Sequence, residues 1–305
     1  MNLPRSVRIA LRVATGVVLA FIYLPIGIIV LYSFNAAKVA TWPITTFTLD
    51  WYAKAFNDQG VRAAFATSVE VAVGATALSL LLGSLLALAV HRYRFFGRET
   101  VAFVVILPLA LPGIITGLAL NTAFRTIGFD FGVMTIVVGH ATFCVVVIYN
   151  NAIARLRRTS RSFEEASADL GADTFSTFRR VTFPAVRTAL IAGALLAFAL
   201  SFDEIIVTNF LSGPGVQTLP LWIFNNYQRP NQLPLVNVAA VLVLLLSIIP
   251  VYIASRLTAD PAAVRLRPWA GGGAPVRQSL NRVVLVVTQV AVLVVAVGNA
   301  NGLKW

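Results

Sequence analysis

Cysteine, histidine and charge are all scarce in this chain, and each scarcity removes a class of function. Among 305 residues there is one cysteine, Cys144, and there are two histidines, His91 and His140. A single cysteine cannot form an internal disulfide, a CxxC redox pair or a thiolate zinc site. Two histidines leave almost nothing from which to build a His/Cys metal centre. No Gly-rich loop ending in Gly-Lys-Ser/Thr occurs, so the usual cradle for nucleotide phosphates is missing. Charged residues are 12% of the chain and apolar residues 58%, against roughly 25% and about 45–50% in soluble domains. A soluble protein of this length could not hide that much apolar surface, and the bilayer is its natural solvent.

What charge there is has one dominant sign, +12 overall. Nucleic-acid binding and the positive-inside bias of membrane proteins both produce such an excess, and they differ in where the charges lie. A spanning helix needs about 20 mostly apolar residues. Six segments meet or approach that length: Val13–Phe34, Phe65–Val90, Val101–Phe124, Val133–Asn151, Ala189–Leu211 and Val236–Leu257. The first follows Arg5, Arg8 and Arg12, as a signal peptide's core would. Its 22 residues exceed the 7–15 of a signal core, so it reads as an uncleaved first span. Pro25, Pro108, Pro112 and Pro250 are expected to kink their helices.

With the N-terminus placed in the cytoplasm, the internal loops collect Arg5, Arg8 and Arg12, then Arg92, Arg94 and Arg98. They also collect Arg155, Arg157, Arg158, Arg161, Arg179, Arg180 and Arg187, and finally Arg256, Arg265, Arg267, Arg277 and Arg282. The external loops hold only Lys38, Lys54, Arg62, Arg125 and Arg229. Eighteen against five, alternating at every crossing, assigns the basic excess to topology rather than to nucleic acid. The expected architecture is an all-α membrane protein of six transmembrane helices. Residues 1–60 form the first helix and an external loop, residues 61–258 the membrane core, and residues 259–305 an appendage. Trp42, Trp51, Tyr52, Trp222 and Tyr227 in the external loops are expected at the headgroup level. In the appendage, a Gly-rich linker from Trp269 to Pro275 precedes a valine-rich run, Val283–Val297. Fifteen residues span about 22 Å as a helix, short of the ~30 Å hydrocarbon core. A seventh, mismatched span, an interfacial segment and an extension without a part in the main function all remain open, and the last is the expectation.

The loop at 155–187 is the longest internal one and mixes acidic with basic residues. Two short helices around a break are expected. Ser162 caps the first, which carries Glu164 and Glu165 where the helix dipole favours acids. Gly171 ends it in a left-handed conformation. Asp173 caps the second, which closes on Arg179 and Arg180, with Phe175 and Phe178 on one face. Pro184 limits continuation into the next span. A short hairpin with exposed aromatics, pinned between two spans, suits the docking of a partner.

Glu165-Ala166-Ser167, three residues, Gly171, nine residues, then Val181-Thr182-Phe183-Pro184 resembles the signature of ABC importer permeases. Ser167 and Phe183 depart from the usual residues, small for small and apolar for apolar. The resemblance covers roughly Ala64 to Leu257, and Pro108-Leu109-Ala110-Leu111-Pro112 also looks like this family. It implies a type I importer core whose loop forms coupling helices, with Glu165, Ala166, Gly171, Phe175, Phe178 and Pro184 meeting a cytoplasmic ATPase subunit. It further implies two such ATPases, a second permease subunit, a periplasmic solute-binding protein, and no cofactor on this chain.

Asp203 and Glu204 lie deep in the fifth span. An ionised acid there costs at least about 2.5–3.5 kcal/mol, so it defaults to a functional reading on a water-filled path. Pairing that fixes helix packing is the alternative. Thr208 and Asn209 could extend a polar lining or simply hydrogen-bond between helices, and His140 reads as a hydrogen-bonded interior residue. Ser201-Phe202-Asp203-Glu204 with Phe210-Leu211-Ser212-Gly213-Pro214-Gly215 resembles the spermidine/putrescine branch of these permeases. That implies a small organic cation as cargo, with Asp203, Glu204 and Asn209 along its path. An ion-coupled secondary transporter using the two acids is the competing class. It leaves the patterned loop unexplained, and no inverted repeat relates the two halves. An intramembrane enzyme would need a catalytic set that the spans do not offer.

Overall fold

The computed structural model describes residues 5–40, 42–93, 95–160 and 162–258. The linker at 269–275 and the valine-rich run lie outside the described residues. Within them the chain is helical, with one isolated antiparallel bridge between Asn35 and Phe47. Five helices are long and apolar enough to cross a membrane, or six if one sharply bent pair counts as a span. The described residues divide into two compact units, 5–62 with 222–245 and 63–221 with 246–258.

In the first unit, α1 (Arg5–Ser33) exposes most of its apolar side chains, as a lipid-facing helix does. A short amphipathic helix, α2 (Asp50–Asn57), follows it. The Thr48 hydroxyl accepts the Asp50 N–H at 3.0 Å and starts that helix. Trp51 and Ala55 bury one face of α2 against Val238. The Trp51 indole donates to the Asn35 carbonyl at 3.0 Å, and the Tyr52 and Ser33 hydroxyls lie 2.7 Å apart. Trp222 is also buried, and Gly60 approaches its indole so closely that a Cβ would stand 3.1 Å from Nε1. Trp51 and Trp222 are therefore core residues and not headgroup anchors. The Trp51 indole thereby satisfies its N–H inside the fold. Of Trp42, Trp51 and Trp222, Trp42 is the one freely exposed.

The second unit is built on α6 (Val133–Leu156). Ile136, Phe143, Cys144 and Ile148 of this helix are buried together with Val71, Ala197, Val207 and Leu211. Lipid offers no hydrophobic drive for helices to associate, so small residues at the crossings let backbones approach. On α3 (Gln59–Arg92), a Cβ at Gly83 would lie 2.8 Å from that of Ile148. On α9 (Phe183–Phe202), a Cβ at Gly193 would lie 3.3 Å from that of Asn151.

Two expected spans are not continuous. The third is α4 (Arg98–Ala110) and α5 (Gly113–Thr126), bent by 107° at the intervening Leu111-Pro112. Proline forces its predecessor out of the helical region, and Leu111 is accordingly extended at ψ 142°. Pro25, Pro108 and Pro250 instead sit inside helices that run on through them. The fifth span was expected to reach Leu211, but its helix ends at Phe202. After a break at 203–205 it resumes as α10 (Ile206–Leu211). Beyond it come α11 (Leu219–Asn226) and α12 (Leu233–Thr258), the last span.

Candidate functional site

The loop after α6 opens with α7 (Ser162–Asp169). Ser162 is its first helical residue and not its cap. The Ser160 hydroxyl accepts the Ser162 N–H at 3.3 Å. Gly171 closes α7 at φ +80°, a left-handed conformation that a glycine adopts without strain. Gly171 N–H bonds the Ala168 carbonyl and Ala172 N–H the Ser167 carbonyl, which satisfies the freed end of the helix. Asp173 then caps α8 (Thr174–Thr177), accepting the Ser176 N–H at 2.9 Å. Hydrogen bonds from the Ser176 side chain and backbone hold its carboxyl below the usual aspartate range.

The second loop helix was expected to end at Arg179 and Arg180, and it does not. It passes through a π-helical turn, Phe178–Thr182, directly into α9, so Thr174–Phe202 runs as one 29-residue element. Pro184 sits in the first turn of α9 without ending the helix. A proline ring normally crowds the carbonyl four residues back and removes one bond. The widened turn, in which Phe183 N–H reaches the Phe178 carbonyl, comes just before it and absorbs that misfit.

Glu165 and Ala166 are exposed on α7, and Phe175 is exposed on α8. Phe178 is half-buried, its ring 6.1 Å from that of Phe183, so Phe175 and Phe178 do not share an exposed face. Phe163 and Leu170 join Phe175 as exposed apolar residues of this loop. Two contacts that the sequence did not announce tie α7 to the base of the span. The Thr182 hydroxyl donates to Glu164 at 2.7 Å, and the hydroxyls of Ser167 and Thr177 are 3.0 Å apart. Ser167, one of the two departures from the family pattern, thus supplies a hydrogen-bonding group that alanine lacks.

Asp203 and Glu204 occupy the break between α9 and α10. The two do different work. Glu204 Oε1 accepts the N–H groups of Ile206 and Val207 at 2.8 and 3.0 Å, capping α10 from within its own chain. Asp203 makes no comparable bond to another residue, and neither acid has a cationic partner among the described residues. Both are half-buried. Asn209 is exposed on α10 and is not brought to either acid by a hydrogen bond.

The far end of α10 is held by neighbouring spans. Asn121 of α5 donates to the Phe210 carbonyl, and Thr135 of α6 donates to the Leu211 carbonyl at 2.9 Å. Gly117 and Gly139 leave room for the Phe210 and Leu211 side chains, where a Cβ would collide. His140 of α6 is buried between Ser201 and Thr208, Nδ1 2.8 Å from the first hydroxyl and Nε2 2.9 Å from the second. The signal for these contacts was present as polar residues inside apolar runs, but their partners lie more than sixty residues away. Among the described residues no group of three or more His, Cys, Asp or Glu side chains is placed to hold a metal ion.

The chain resembles known transport proteins in sequence and in fold. It is 37% identical over 232 residues to the putrescine transport system permease protein PotI of Escherichia coli (strain K12), covering 73% of this chain and 82% of that protein. It is 33% identical over 241 residues to the spermidine/putrescine transport system permease protein PotC of the same strain, covering 79% and 90%. Its fold matches a chain of a bacterial ABC transporter involved in import of the acidic polysaccharide alginate, with a TM-score of 0.67 at 19% identity, covering 85% of this chain and all of that one. The ion-coupled secondary transporter is therefore not favoured. Residues 79–260 match the family described as binding-protein-dependent transport system inner membrane component, and this chain, with its several apolar helices, belongs to that family as a multi-pass permease of the inner membrane.

Proposed function

We propose that this chain is the permease subunit of an ATP-driven importer and forms the path for a small di- or triamine such as putrescine or spermidine. The observation that carries the cargo reading is Asp203. It is an acid without a cationic partner among the described residues, in a break of a membrane span. The bilayer penalises such a charge, and a cationic substrate is the simplest compensation. The relatives named for putrescine and spermidine support the same class. Glu204 adds negative potential while its carboxylate holds α10. Asn209 lines the path one turn further on.

The permease core comprises residues 61–258, and the loop at 155–187 is its coupling element. Glu165, Ala166 and Phe175 on the exposed side, with Gly171, Phe178 and Pro184 setting the shape, meet a cytoplasmic ATPase subunit. Two ATPases, a second permease subunit and a periplasmic solute-binding protein complete the importer. ATP hydrolysis belongs to the ATPases, and the N-terminus of this chain is cytoplasmic.

Uptake of labelled putrescine or spermidine, normalised to assembled complex, tests the cargo reading. Asp203→Asn removes charge and keeps shape, so uptake should fall while assembly persists. Glu204→Gln keeps an acceptor oxygen for the Ile206 and Val207 amides and should fall less. Amine transport at the full normalised rate by the double variant Asp203→Asn/Glu204→Gln would show the acids to be structural. Reduced assembly with unchanged transport per complex would point the same way.

A further inference from the structure

We propose that His140 is a positioning residue that clamps the two halves of the broken fifth span and so presents Asp203 to the path. The inference rests on the cargo reading above for its consequence, but not for its geometry. Ser201 lies in the last turn of α9 and Thr208 in α10, on either side of the break at 203–205. The His140 ring bridges them at 2.8 and 2.9 Å from a third helix, α6. Its other face packs near Phe143, with ring centroids 5.5 Å apart.

Proton counting sets the direction on the Thr208 side. A threonine hydroxyl has one proton, and that of Thr208 goes to the Glu204 carbonyl at 2.9 Å. Thr208 Oγ1 must then accept from His140, so Nε2 carries a proton. Nδ1 lies 2.8 Å from the Ser201 hydroxyl, which can serve as either donor or acceptor in that bond. The result is one connected chain: Ser201 bonded with His140, His140 to Thr208, Thr208 to the Glu204 carbonyl. It runs across the same residues in which the helix is interrupted.

The break itself is weakly held by backbone bonds. Asp203 N–H reaches the Ala199 carbonyl at 3.3 Å, and regular bonding resumes with Asn209 N–H on the Ile205 carbonyl. Asn121 and Thr135 fix the far end of α10 to α5 and α6. The clamp therefore acts on the near end, and it sets where Asp203 lies relative to α6. A side chain that merely filled the space would take the buried Ser201 hydroxyl's partner away, leave Thr208 bonded only to the Glu204 carbonyl, and would not tie α9 to α10.

The test uses the full importer with both permeases, the ATPases and the binding protein, reconstituted in lipid. His140→Phe keeps ring size and the Phe143 contact but loses both bonds. His140→Gln keeps an amide donor that can reach Thr208. Backbone amide exchange of the segment 201–211 should rise in the Phe variant and less in the Gln variant. Putrescine uptake per assembled complex should drop roughly tenfold in the Phe variant, the value of a lost buried hydrogen bond or two, and recover to within about threefold in the Gln variant. If the Phe variant fails to assemble, Ser201→Ala and Thr208→Val each remove one arm at little change in volume. Each should lower normalised uptake by roughly threefold or more. Parental uptake in the Phe variant, or in both single-arm variants, overturns the proposal. So does a Gln variant as impaired as Phe, because the role would then be packing. A parent importer that moves no amine at all sinks the cargo reading instead, and amide exchange at 201–211 still decides whether the clamp exists.

Discussion

The Thr182 hydroxyl donates a 2.7 Å hydrogen bond to the Glu164 carboxylate, joining the first loop helix to the π turn at the base of the fifth span. Because that turn continues into α9, a push on α7 has a continuous helical route toward Asp203. The second loop helix is continuous with the span and is not a separate hairpin. Thr182→Val removes the hydroxyl with almost no change in shape. A hydrogen bond to a charged group is worth about 1.5–3 kcal/mol when buried, and this partly buried one falls at or below the low end. The spans should fold normally, while amine transported per ATP hydrolysed falls severalfold. An unchanged ratio would mean that the Thr182–Glu164 bond carries no motion.

Gly171 adopts φ +80° with open space around it, so conformation and not crowding sets the cost of a side chain. Gly171→Val should cost about 1–2 kcal/mol locally, disturb the turn between α7 and α8, and weaken ATPase co-purification. Gly171→Asn, which tolerates the left-handed region better, should be milder. Equal behaviour of the two variants in a pull-down assay would show that the left-handed turn is irrelevant to docking.

Asp173 offers a pH test outside the membrane. Ser176 lowers its carboxyl pKa in the folded chain. A depressed acid contributes stability above its unfolded pKa and loses it as pH falls through the folded one. The cap should therefore hold throughout pH 5–8. Asp173→Asn retains an acceptor and should match the parent over that window. Asp173→Ala should reduce ATPase stimulation by the loaded binding protein at every pH within it. A parental loss that sets in near neutrality would assign the titration to another group.

Topology can be read with an impermeant thiol reagent. In a Cys144→Ala background, Thr174→Cys and Gln217→Cys place single thiols at two exposed positions. Reagent applied from outside should label the Gln217→Cys variant and spare the Thr174→Cys variant. The reverse order would invert the map and remove the coupling role from the loop.

Composition and the spacing of apolar runs determined the class of this protein by themselves. A chain this poor in charge must live in lipid, and a helix that satisfies its own backbone is one of the few ways to cross it. Cap chemistry was equally local: Gly171 and Asp173 act within four residues of themselves, so their roles were readable from the order of residues. The tertiary structure alone decided where helices stop. Pro112 breaks a span and Pro25 does not, although both are prolines in apolar runs. Asp203 and Glu204 look like a matched pair in sequence, yet the carboxylate of Glu204 holds the start of α10 and that of Asp203 makes no comparable bond. Trp51 and Trp222 turned inward for the same kind of reason. For Trp51 and Trp222 the outcome depends on a partner far away in the chain, Val238 for the first and Gly60 for the second. Such a partner is brought close by packing, and packing is set by small residues at helix crossings that carry no periodic signal.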